Sequence, residues 1–174
     1  ALKYAASKPH LTEEEAVKEF LGGNVIDIIS GGAPLDAALN ERFNETGILV
    51  LNGYGMTEIG ITSVEKSHRK KQLNSGSIGA PFGSTVYAVS EDGELLVGGK
   101  TRADRIIRSG EVIRTDYDSL FATGDIVRCV KGRYYIDGRK DDLITSESGE
   151  NLNPVLAERA LAMPEIDRAC VFSS

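Results

Sequence analysis

At 174 residues the chain can bury the core of one domain, or of one domain and part of a second. A hydrophobic content of 41% with 26% charged residues is that of a soluble globular protein, and a net charge of −6 with no dominant basic face argues against a nucleic-acid partner. Two cysteines without metal-ligand spacing, two unrelated histidines and no apolar run of membrane-spanning length exclude a disulfide scaffold, a histidine-based metal site, a Ser-His-Asp triad and a membrane span, so a cytoplasmic location is expected.

Residues 1–10 show no periodicity. Thr12 and Glu15 form a capping-box pattern before a helix whose face carries Ala16, Val17, Phe20 and Leu21, and Gly22-Gly23 ends it. Residues 25–29 read as a short buried strand, with Asp27 the exception. Ser30-Gly31-Gly32-Ala33-Pro34-Leu35-Asp36 then leads into a second helix, with Pro34 in its first turn and Asp36 at its positive end. Its expected buried stripe is Leu35, Ala38, Leu39 and Phe43, and Gly47 closes it before a fully buried strand over 48–51. Residues 24–52 therefore predict a strand–helix–strand unit with parallel strands. The loops at 30–33 and 52–55 then share the sheet edge where ligands of open α/β sheets bind.

The stretch Leu51-Asn52-Gly53-Tyr54-Gly55-Met56-Thr57-Glu58 is expected to leave that second strand as a loop. Its glycines allow close backbone approach to a ligand, and a Tyr face suits a planar base. The Thr hydroxyl suits a phosphate oxygen, and Glu58 suits a hard cation such as Mg2+. An ordinary strand exit fits the same residues equally well. His68-Arg69-Lys70-Lys71, the one basic cluster, reads as a solvated loop.

From about residue 76 the pattern turns to β. Ser75-Gly76-Ser77-Ile78-Gly79-Ala80-Pro81 reads as a chain bend, because neither Gly-Lys-Ser/Thr nor an amphipathic helix follows. Hairpins are expected around Asp92-Gly93, Ser109-Gly110 and Lys131-Gly132, giving a meander or small barrel beside the α/β unit. Cys129 and Cys170 lie in apolar runs and are expected to be buried. Asn153 caps a last helix with Pro154 in first position and Leu156, Ala160 and Leu161 on its face, and residues 166–172 could begin a strand.

Three polar clusters carry possible chemistry. Asp125, in Thr123-Gly124-Asp125, suits a pair of adjacent hydroxyls such as those of a ribose. Arg139 suits a ribose or phosphate, or a surface ion pair with a neighbouring Asp. Ser148-Gly149-Glu150-Asn151 is a loop ahead of the last helix.

The order and spacing of Gly-Gly-Ala-Pro-Leu (31–35), Gly-Tyr-Gly-Met-Thr-Glu (53–58), Thr-Gly-Asp (123–125), Gly-Arg-x-Asp-Asp-Leu-Ile (138–144) and Gly-Glu-Asn (149–151) closely resembles the adenylate-forming superfamily. Acyl-CoA synthetases, peptide-synthetase adenylation domains and luciferases belong to it, and the resemblance runs from about Gly22 to the end. It implies ATP, Mg2+ and coenzyme A as cofactors and a carboxylic acid as substrate. Gly32, Ala33 and Pro34 would border the adenine with Tyr54 against its face, and Asn52 to Met56 would complete that wall. Thr57 would hold the α-phosphate and Glu58 the Mg2+ as the catalytic pair, while Asp125 and Arg139 would hold the ribose. Asp141 would be the hinge and Gly149 would lie near the pantetheine arm.

The implied layout is a partial adenylate-forming fold. Residues 1–138 would be the C-terminal part of the large nucleotide-binding domain, α/β over about 1–75 and β-rich over about 76–138. Residues 139–174 would be the hinge and the truncated start of a small α+β domain. The family's upstream phosphate loop and its late catalytic lysine are not in the chain, which alone would be inactive or nearly so. Arg102 to Arg108 stands where the family usually has Gly-Tyr, and the loop at 145–148 is one residue longer than the common form. That loop with Gly-Glu-Asn-x-x-Pro leans toward fatty-acyl or long-chain acyl-CoA synthetases. The alternatives are a domain loading a carrier protein, an acyl-AMP ligase, and a non-catalytic nucleotide-binding module.

Overall fold

A computed structural model describes residues 1–145, 151–161, 163, 166 and 169–172. A short helix α1 (Leu2–Ala6), absent from the sequence expectation, leads to α2 (Glu13–Phe20). The capping box at the start of α2 is complete: Thr12 accepts from the Glu15 amide, and the Glu15 carboxylate accepts from the Thr12 amide. Ala16 and Val17 are buried, while Phe20 rests against the Tyr4 ring.

Strand β1 (Asp27–Ser30), helix α3 (Ala37–Glu45) and strand β2 (Leu49–Met56) form the expected parallel unit, with Asp27 opposite Leu49 and Ser30 opposite Asn52. Two details differ. Asp36 takes the Leu39 amide at 2.7 Å and is the cap, so the helix starts at Ala37 and Pro34 lies outside it. The buried face of α3 is Asn40 and Asn44, with Leu39 exposed. Asn44 explains this: its Oδ1 accepts from the Val50 amide at 2.8 Å, and its Nδ2 donates to Asn40 at 3.1 Å and to Asn74 at 2.7 Å. The helix is therefore docked by hydrogen bonds that satisfy the edge of β2 and the 73–74 turn.

The largest correction concerns residues 52–58. Strand β2 continues through Met56, turns at Thr57-Glu58-Ile59 and returns as β3 (Gly60–Val64), antiparallel to it. Extension of the strand depends on Gly55, where a Cβ would stand 2.3 Å from the Gly60 carbonyl oxygen. Helix α4 (Lys70–Leu73) occupies the basic stretch that reads as a loop, and its basic side chains remain exposed.

The second sheet is antiparallel in the order β4 (Thr85–Val89), β5 (Glu94–Gly99), β8 (Phe121–Val130), β9 (Arg133–Arg139). The intervening hairpin of β6 (Arg105–Arg108) and β7 (Glu111–Arg114) forms its own two-stranded sheet, so the meander is interrupted rather than closed as a barrel. Past Val127 strand β8 has left β5 and pairs only with β9, which is why Cys129 is exposed; Cys170 is exposed as well. The core between the sheets holds Tyr54, Ile59, Ile78, Leu95, Val97 and Val127.

After β9 comes a 3-10 turn (Lys140–Asp142), then β10 (Ile144–Thr145) paired with β11 (Asn151–Leu152), then α5 (Pro154–Ala160). Asn153 accepts from the Val155 amide as expected and also donates to the Asp137 carbonyl, tying α5 to β9. Ile166 and residues 169–172 lie in no strand. Gly149 and most of the long 145–148 loop lie outside the described residues. No helix among the described residues is long and apolar enough to cross a membrane.

Candidate functional site

The two glycine-bearing segments at the ends of β1 and β2 meet at one cavity of about 570 Å3. Gly32, Ala33 and Pro34 form one side, and Asn52 to Met56 the next. Asp125, Arg128 and residues 135–139 of the antiparallel sheet stand opposite, with Val155 of α5 at the rim. Every residue expected to contact adenine or ribose is therefore brought together: Gly32, Ala33, Pro34, Asn52, Gly53, Tyr54, Gly55, Met56, Asp125 and Arg139. Thr57 and Glu58 are not in the lining; they occupy the β2–β3 turn just beyond Met56, Thr57 exposed and Glu58 half-buried. Asp141, expected as the hinge, is also outside it, with its side chain 83% exposed.

Asp125 is the charged centre of the wall. It is buried, and each carboxylate oxygen has a donor: the Tyr54 hydroxyl reaches Oδ2 at 2.5 Å and Arg139 Nη1 reaches Oδ1 at 3.0 Å. Arg139 also donates to the Thr123 carbonyl at 3.0 Å, so the guanidinium lies across the Thr123-Gly124-Asp125 corner. Gly124 permits this, since its φ is +75° and a Cβ there would stand 3.0 Å from Arg139 Nη2. Thr123 fixes the corner from behind, donating to the Leu95 carbonyl and accepting from the Asp125 amide.

Burial, reinforced by the Asp125 carboxylate, pushes the Tyr54 hydroxyl far above the ordinary phenol range and keeps it a donor. The bond to Asp125 likewise raises Arg139. A carboxylate offers about four lone-pair sites, so Asp125 held by two donors can still accept from two ligand hydroxyls. For Mg2+ the test is Glu58: among the described residues its carboxylate has no protein partner, and no cluster of three metal-ligating side chains exists. One free carboxylate fits a Mg2+ that brings phosphate oxygens and water as its remaining ligands.

Several cavity residues escape sequence reading. Ser75, Gly76 and Ile78, read only as a bend, line the wall and are held there by Asn52, which donates to the Gly76 and Ser77 carbonyls at 3.3 Å. Arg128 stacks on Tyr135, 4.3 Å from the ring centroid, and donates to Asp137 at 3.0 Å. The signal for these was register, since Arg128 is opposite Tyr135, and register follows from a pairing that sequence leaves open. A separate cavity of about 600 Å3 beside Glu65 and Lys131 contains none of the expected residues, and its buried Glu65 is already paired with Arg133.

The model of the family described as AMP-binding enzyme matches residues 3–112. The chain is 33% identical over 155 residues to the long-chain-fatty-acid–CoA ligase FadD15 of Mycobacterium bovis, covering 87% of this chain and 25% of the relative. It is 30% identical over 162 residues to a feruloyl-CoA synthase from Amycolatopsis sp, covering 83% and 32%. The structure aligns with the O-succinylbenzoate coenzyme A synthetase of Bacillus subtilis in complex with ATP and magnesium at a TM-score of 0.61 and 27% identity, over 78% of this chain and 30% of the other. MenE of E. coli aligns at a TM-score of 0.67 and 23% identity, over 89% and 35%, a likeness of fold alone. The chain therefore belongs to the AMP-binding, adenylate-forming enzyme family, and it spans about a quarter to a third of the length of these relatives.

Proposed function

We propose that the protein containing this chain is an AMP-forming acid–thiol ligase acting on a carboxylic acid, with a fatty acid the favoured class and coenzyme A the acceptor. The observation that carries the reading is the convergence of both glycine-bearing strand ends with the Asp125–Arg139–Tyr54 group on one cavity. The fatty-acyl preference is supported by the ligase FadD15 among the relatives.

In the first half-reaction the substrate carboxylate attacks the α-phosphorus of ATP. The bond to the β-phosphate oxygen breaks and pyrophosphate departs with that electron pair. In the second, the coenzyme A thiol loses its proton and attacks the acyl carbonyl, releasing AMP. Both steps depend on positioning and charge stabilisation, which this chain's groups are suited to supply. Asp125 accepts from the ribose hydroxyls while Arg139 and Tyr54 hold it in place. The backbone of residues 32–34 and 52–56 borders the base. Thr57 donates to an α-phosphate oxygen, and Glu58 would hold Mg2+, which when bound neutralises phosphate charge. Residues 139–142 form the hinge, with Asp141 as the turning point and the following residues the start of the small domain. The isolated chain is expected to release little pyrophosphate.

Pyrophosphate release by the intact protein, with fatty and aromatic acids and with or without coenzyme A, tests the proposal. Acid-dependent release followed by coenzyme A-dependent AMP formation is expected. An intact protein that forms no adenylate from any acid in the panel sinks the reading.

A further inference from the structure

Lys140 stands between Arg139 and the exposed Asp141, and its half-exposed ammonium bridges two carboxylates. It meets Asp92 Oδ2, in the β4–β5 turn, at 2.5 Å and Glu94 Oε2, at the start of β5, at 2.8 Å. Glu94 is only 8% exposed, and its other oxygen accepts from the Gly124 amide at 2.8 Å. Gly124 directly precedes Asp125, whose carboxylate binds Arg139, the residue before Lys140. The contacts thus close a ring: Lys140 to Glu94, Glu94 to Gly124, Asp125 to Arg139, and back to Lys140 along the chain.

Removing either cation of the ring leaves a buried carboxylate short of a partner. Without the ammonium, Glu94 remains a buried carboxylate held by one amide, one residue away from a second buried carboxylate. The effect is passed on through Gly124, whose amide Glu94 holds and whose positive φ, beneath the Arg139 guanidinium, precedes Asp125. On the other side of Lys140 the constraint weakens: among the described residues the exposed Asp141 side chain is reached only by Arg139 Nη2 at 3.6 Å.

We propose that Lys140 is a positioning residue that locks the Thr123–Asp125 corner and Arg139 in register, and that it marks the fixed end from which the following residues turn. This rests on the nucleotide reading of Asp125 and Arg139 given above, and it assigns a role to a side chain that touches neither nucleotide nor acid.

The test uses the intact protein with Lys140→Met, Lys140→Arg, Glu94→Gln and the Lys140→Met/Glu94→Gln double variant. AMP affinity is measured by calorimetry, the KM and kcat for ATP by pyrophosphate exchange, and amide hydrogen exchange by mass spectrometry over residues 121–126. Lys140→Met is expected to weaken AMP binding about tenfold, raise KM for ATP with kcat little changed, and speed exchange at 121–126 about tenfold. Lys140→Arg should restore all three, and the double variant should be no worse than Lys140→Met alone, since the two act through one contact. Unchanged AMP affinity or unchanged exchange in Lys140→Met overturns the assignment, as does additive loss in the double variant. If Lys140→Met does not fold, Glu94→Gln and Lys140→Arg read the same contact. A wild type that fails to bind AMP defeats the nucleotide reading instead, and the exchange measurement still decides whether Lys140 holds the corner.

Discussion

The Tyr54 hydroxyl donates to Asp125 from the opposite sheet, and this one bond sets much of the site's chemistry. Tyr54→Phe leaves Asp125 Oδ2 without a protein donor and is expected to cost about 1–3 kcal/mol of stability by urea unfolding. It should also change the alkaline limb of stability. The folded-state pKa of Tyr54 is raised, so its contribution is whole below the unfolded phenol value of about 10 and is lost as pH climbs above it. The pH slope of stability above that value should be shallower in the Phe variant by about one proton. An unchanged slope would mean that Tyr54 ionises normally. Glu58, whose carboxylate has no protein partner among the described residues, should behave differently: Glu58→Gln should leave AMP affinity within about twofold but lower Mg-ATP-dependent adenylation by tenfold or more, read by pyrophosphate exchange. Equal losses in both would remove the metal role. At this scale the residue types were legible because each chemistry needs a short list of side chains, and Asp125 and Arg139 sit in compact polar clusters. The hydrogen bond from Tyr54 was not, because it joins positions 71 residues apart.

Among the elements, α3 is informative because its buried face is polar. Asn44→Leu keeps the branched shape but strands the Val50 amide and the Asn74 Oδ1. A loss of about 2–4 kcal/mol is expected, with weaker AMP binding because the bend that follows Asn74 forms part of the cavity wall. Stability at the wild-type value would show that the asparagine network is incidental. The same element shows where sequence reading fails. Helical periodicity pointed to Leu39, but the docking surface offered an unpaired strand amide, and satisfying it outweighed burying one leucine. The capping box of α2, the parallel pairing of β1 with β2 and the Asn153 cap were all legible, since each is a local signal. The continuation of β2 to Met56 was hidden because Gly-Tyr-Gly looks like a turn until the returning strand that needs its missing side chains is known.

For the whole molecule, the cavity lies between two sheets, so a ligand there should stabilise both. AMP at about a hundred times its dissociation constant should add about 2.7 kcal/mol and raise the melting temperature by roughly 5–10 °C. Amide protection should rise in β2 as well as in β8 and β9, as read by hydrogen exchange, and protection confined to β8 and β9 would contradict a shared site. The succession of a strand–helix–strand unit and an antiparallel sheet was legible from the change of hydrophobic period along the chain. The way the two face each other was not, because it is fixed by the side chains of Tyr54, Ile59, Ile78, Leu95 and Val127 packing across the gap.

The bond between Tyr54 and Asp125 also bears on how such proteins can be reshuffled. Its two ends lie on either side of most of the chain's middle, so a genetic crossover anywhere from residue 55 to residue 124 takes them from different parents. The hybrid inherits both side chains yet depends on two sheets of separate ancestry meeting to within a few tenths of an ångström. Segments of this chain therefore travel poorly across that interval. Exchanges that succeed should have their junctions before β1 or after α5, where the nucleotide wall passes whole from one lineage.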